Sequence, residues 1–255
     1  MTMTADRLTR APARDEPQYF YFYMAMACAA VAFLGFAPTY FAPLAAGKLK
    51  ANPVVHIHGI VFFAWSLFLV YQTWLGASGR TVRHKSVGLI GVAFATAMTI
   101  FGIQTGINAM KSSAAIGMTK EGLAFVIVPL AGIVFFAIVF ALGVALARQR
   151  EAHKRLMLLA AISILDAAIA RWFLTFLAPP GAIGPPPVAV TIPPSLVATL
   201  LIVVAMIFDW RTRGRPHRVY VIGGASYVAM KVLSLPVSSS PAWQAFAGWI
   251  LATAQ

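Results

Sequence analysis

HKRLMLLAAISILDAAIAR, residues 153–171, decides how the whole chain is read. It opens on a basic cluster and runs on through apolar residues. It then sets a carboxylate, Asp166, and a guanidinium, Arg171, where hydrocarbon would be expected. The chain around it is 60% hydrophobic and 11% charged, with a mean hydropathy of +0.80. A soluble domain carries about 25% charged residues. A soluble core cannot bury so much apolar surface, but a bilayer can. The formal net charge is +13. The basic residues fall in short clusters between apolar runs rather than on one soluble face, which marks membrane topology and excludes nucleic acid as a partner. The single cysteine, Cys28, lies inside an apolar run, so there is no disulfide framework. No polar segment is long enough to hold a soluble core. The first apolar run is too long for a cleavable signal peptide, and no small-residue cleavage site follows it.

A crossing helix needs about 20 apolar residues. Seven segments qualify: 18–41, 53–76, 86–108, 122–147, 155–177, 193–210 and 219–235. The fold class is therefore an all-α integral membrane protein, a bundle of seven transmembrane helices. Residues 1–16 read as a disordered cytoplasmic tail, 17–236 as the membrane domain and 237–255 as an interfacial segment. PAWQAFAGWILATAQ (241–255) is too short to span, and Trp243 and Trp249 suit the interface. Pro53 suits the first turn of the second helix. The Pro-rich loop 177–194 is expected to lie as an extended lid.

Lysines and arginines sort by side. The tail has Arg7, Arg10 and Arg14, and the second loop Arg80, Arg83 and Lys85. The fourth loop has Arg148, Arg150, Lys154 and Arg155, and the sixth Arg211, Arg213, Arg215 and Arg218. The other side has Lys48, Lys50, Lys111 and Lys120. The positive-inside rule makes the first side cytoplasmic. The expected setting is a bacterial inner membrane, multi-pass, with the N-terminus in the cytoplasm and lipids as neighbours.

Depth follows at about 1.5 Å per residue. Asp166 falls near mid-membrane, and Arg171 and Lys231 in the outer half. His56 and His58 sit one turn in from the outer face, with Gln104 and Asn108 at similar depth. Ionisable groups in a membrane are costly and usually face a partner or water. Two readings stand: an ion pair that locks helices, or a polar cavity for a ligand or ion. Asp166 and Arg171 are about 140° apart on a helical wheel, so Asp166 is expected to reach another helix, with Lys231 the first candidate.

The inner layer holds His84, His153 and Gln72. On the second helix, His58, Phe62, Trp65, Leu69 and Gln72 form one stripe. On the third, His84, Gly88, Gly91 and Ala95 form a stripe of small residues that lets a neighbour come close. On the fifth, His153, Met157, Ala160, Ile164, Ala167 and Arg171 share a face. If the last two faces meet, His84 and His153 stand side by side and would hold a haem b iron through both axial positions. Arg83, Lys85, Lys154 and Arg155 would then serve the propionates. Anchoring of helix ends, lipid phosphate binding or a metal are the other readings. A zinc site wants three or four ligands at one depth, and the outer layer offers only His56 and His58, which diverge on the helix. No dedicated metal site is expected there.

HIHG at the start of the second helix, Gln72 at its end, RHKSVGLIG opening the third and HKRLM through Arg171 in the fifth resemble a family of multi-pass bacterial membrane proteins of unknown function. The resemblance covers residues 19–255 and implies a compact seven-helix bundle and no particular activity. The histidines at helix ends are also loosely similar to those of diheme b-type transmembrane cytochromes, which place a histidine pair near each face. This chain departs from that pattern, because only one helix supplies outer histidines.

Three functions follow. The first is haem- or metal-based electron transfer on His84 and His153. The second is ligand binding or transport in an outward cavity lined by His58, Asp166, Arg171 and Lys231. The third is a non-catalytic subunit held by partners in a membrane complex. A retinal protein is excluded, because Tyr227 stands where a carboxylate should precede the lysine. No nucleophile–base set or phosphate loop occurs, and Asp166 reads as the one membrane-embedded carboxylate. Hydrolysis and phosphoryl transfer are therefore not expected.

Overall fold

The computed structural model describes residues 19–49 and 51–254; the expected disordered tail, 1–16, lies outside them. Among the described residues, seven helices are long and apolar enough to cross a membrane: Phe20–Ala45, Pro53–Ala77, Thr81–Ala115, Thr119–Ala145, Arg150–Leu177, Val188–Arg213 and Arg218–Ser238. The chain is a multi-pass, all-α membrane protein. Large apolar side chains such as Leu89, Ile222 and Leu177 project outward, as a lipid solvent allows.

Three spans are broken, two of them by proline. The first consists of α1 (Phe20–Gly35), a wide π turn (Ala37–Phe41) and α2 (Ala42–Ala45). Pro38 has no N–H, so the Leu34 carbonyl loses its helical donor. The Trp172 indole supplies one instead, at 2.9 Å. The second span is α3 (Pro53–Ala77), started by Asn52, whose side chain accepts from Val54 N at 3.0 Å.

The third span, α4 (Thr81–Ala115), has 35 residues and is roughly 50 Å long. It starts before and ends after the expected 86–108, because no breaker occurs between two left-handed glycines, Gly79 and Gly117. The fourth span divides at Val126 into α5 (Thr119–Phe125) and α6 (Ile127–Ala145). There the Pro129 ring opposes the Phe125 carbonyl.

The fifth span was expected to be one helix with a continuous face from His153 to Arg171. It is instead two helices, α7 (Arg150–Ser163) and α8 (Asp166–Leu177). No proline lies there. The Ser163 hydroxyl donates back to the Ala160 carbonyl at 2.8 Å, and Asp166 takes the first position of α8, where the positive helix end favours a carboxylate. This span is the most enclosed of the seven. A 3₁₀ turn (Val188–Thr191), α9 (Ile192–Arg213) and α10 (Arg218–Ser238) follow. The final α11 (Pro241–Thr253) packs on α5 and α4, with the Trp243 indole donating to the Leu123 carbonyl at 2.8 Å.

The basic loops meet at one end. The His84 and His153 rings approach each other there, with centres 6.1 Å apart, and Glu151 pairs with Arg213. Asn52 donates to Asn108 and Lys111 to the Ala254 carbonyl at the opposite end. Within the α4 stripe, Gly91 lies against Phe68 of α3.

Candidate functional site

A cavity of about 620 Å³ runs from the Gly184–Pro186 loop down to Leu69, within the size range of small-molecule sites. Its floor is apolar, with Ala25, Cys28, Trp65 and Ile133 on the walls. The stripe on α3 is one wall, since His58, Phe62, Trp65 and Leu69 all line the space. The Pro-rich loop covers the mouth, as Gly184 abuts Met118 so closely that a Cβ would fall 2.3 Å from its sulfur.

The break in the fifth span opens onto this space, with Ser163, Ile164, Leu165 and Asp166 along its edge. Asp166 is buried and accepts from Lys231 Nζ at 2.5 Å. Ser195 Oγ lies 3.5 Å from the same carboxylate oxygen while donating to the Thr191 carbonyl at 2.8 Å. Lys231 Nζ is 5.4 Å from the Tyr227 ring centre. The pair cancels its own charge and ties α8 to α10.

Arg171 is different. It is on the cavity wall and accessible, with Phe36 5.3 Å from its guanidinium carbon. Among the described residues no carboxylate pairs with it. Two more lining residues have polar atoms without a partner among the described residues: His58 Nδ1 and Thr105 Oγ1. His56 is not on the cavity; its Nδ1 lies 2.9 Å from the Tyr40 hydroxyl.

At the arginine-rich end the His84 and His153 ring centres are 6.1 Å apart with planes at 85°. Arg155 does not flank them as a free cation. It is fully buried, and its Nε lies 3.0 and 3.1 Å from the Asp209 oxygens. Its Nη1 reaches the Glu151 carboxylate at 2.5 Å. Lys154 pairs with Glu151 at 2.9 Å. Asp209 is also fully buried and accepts from His217 N at 3.0 Å. The sequence signal for it was a second carboxylate in an apolar run, one turn before Arg213. Burial beside Arg155 and the other arginines holds the His217 imidazole below its ordinary value.

The fold and site define a multi-pass helical membrane protein with a largely apolar internal cavity that carries one arginine, Arg171, on its wall. The chain matches no family model, no curated protein and no solved structure.

Proposed function

We propose that this protein binds an amphipathic organic anion in its cavity, as the ligand site of a transporter or carrier in a bacterial inner membrane. The Arg171 guanidinium carries the reading. A charge kept on an apolar wall, with no carboxylate paired to it among the described residues, marks a functional site, and guanidinium recognises carboxylate or phosphate by paired hydrogen bonds. With Asp166 neutralised by Lys231, the cavity is left net positive. The apolar floor suits a hydrocarbon body, and His58 Nδ1 and Thr105 Oγ1 suit a polar group beside the head. A span broken next to the ligand is a device of transporters. The arginine-rich end lies in the cytoplasm by the positive-inside rule, so the cavity mouth faces outward.

The probe is dodecanoate, offered to the protein in lipid nanodiscs and followed by native mass spectrometry. The wild type is expected to bind it at least tenfold more tightly than Arg171→Gln, and more tightly than it binds dodecanol. Equal affinity of the two proteins for dodecanoate overturns the reading.

A further inference from the structure

We infer that His84 and His153 ligate one first-row transition-metal centre between them, as a bare ion or as the iron of a haem. The site is separate from the cavity and does not depend on its reading. Two imidazole nitrogens about 2.0–2.1 Å from one metal and nearly opposite across it, as axial ligands are, set the ring centres roughly 6 Å apart, and here they are 6.1 Å apart.

Both histidines carry the supporting bond typical of ligands. His84 Nδ1 is 3.2 Å from the Gln72 carbonyl, and His153 Nδ1 is 2.8 Å from the Gly143 carbonyl. A carbonyl only accepts, so each Nδ1 bears the hydrogen and each neutral ring keeps its lone pair on Nε2. Metal-bound histidines are oriented by this kind of second bond. Neither Nε2 has a hydrogen-bond partner among the described residues.

The surroundings fit. α4 and α7 do not pack closely on one another, since each packs on α6, so the two rings meet only by reaching across. Gln72, whose carbonyl fixes His84, is itself buried, yet neither atom of its side-chain amide has a partner among the described residues. That amide is placed to serve a metal-bound water or a propionate. Arg155 and Lys154 are occupied by Asp209 and Glu151, so Arg83 and Lys85 are the cations left for propionates.

The full-length protein is purified from cells supplied with iron, copper, zinc and a haem precursor. Metal content is measured by elemental analysis and haem by a reduced-minus-oxidised spectrum. One equivalent of metal per chain is expected. A haem band identifies the iron source, and metal without a chromophore identifies a bare ion. His84→Ala and His153→Ala are each expected to cut occupancy at least tenfold, and Gln72→Leu severalfold. All three should retain the dodecanoate affinity of the wild type, which keeps this test distinct from that of the cavity. Stripped wild-type protein is then titrated with Cu²⁺, Zn²⁺ and haemin. Wild-type protein that carries no stoichiometric metal and takes up none in titration overturns the inference. So does equal uptake by the H84A/H153A double variant.

Discussion

At the scale of single residues, the two buried ion pairs carry the largest expected effects. Removing one partner of such a pair leaves a bare charge in a low-dielectric interior, at a cost of about 3–5 kcal/mol. Lys231→Met should therefore destabilise the protein strongly, and adding Asp166→Asn should restore most of the loss. Thermal unfolding of the two singles and the double in one detergent measures the coupling; additive losses would mean the pair does not interact. His217 makes a pH prediction. Its Nδ1 accepts from Val219 N at 3.2 Å, which requires the neutral ring, and its folded value lies below the ordinary one of about 6.5. A depressed histidine contributes stability that is present above the unfolded value and lost as pH falls below it. Unfolding temperature should drop between pH 7 and pH 5, and the drop should shrink in His217→Gln.

At the scale of elements, close approach and broken helices shape the site. Gly35 of α1 lies against α8 so tightly that a Cβ would meet Ala168 at 2.6 Å. Gly35→Ala should cost about 1–3 kcal/mol through overpacking. Gly76, in the last turn of α3, has nothing within 4 Å, so Gly76→Ala should be neutral or stabilising by up to about 1 kcal/mol. Opposite signs from the same substitution, read as unfolding temperatures, check the packing. Two of the breaks had a local signal in Pro38 and Pro129, which lack a donor, although the expected spans 18–41 and 122–147 ran through both. The break before Asp166 was not legible. It arises from a serine turning its hydroxyl inward and from a lysine on α10 that fixes the carboxylate, and both depend on neighbours far away in sequence.

At the scale of the molecule, topology fixes which side of the membrane the cavity mouth opens to. Cys28 is buried, so native background in thiol labelling should be low. In intact cells a membrane-impermeant maleimide should label Ser239→Cys and spare Gln149→Cys, two exposed positions at opposite ends. Labelling of Gln149→Cys alone would reverse the orientation. The number of spans was readable from the chain itself, while the approach of His84 to His153 was readable only on condition that two helix faces meet. Twenty-residue apolar runs and clustered arginines answer to the solvent on either side, and solvent preference is a local property. What folding alone settled was partnership: Asp166 with Lys231, Asp209 with Arg155, and Arg171 left facing an apolar hollow. Helical wheels give direction and depth, but the helix that stands opposite is set by the packing of every other helix in the bundle.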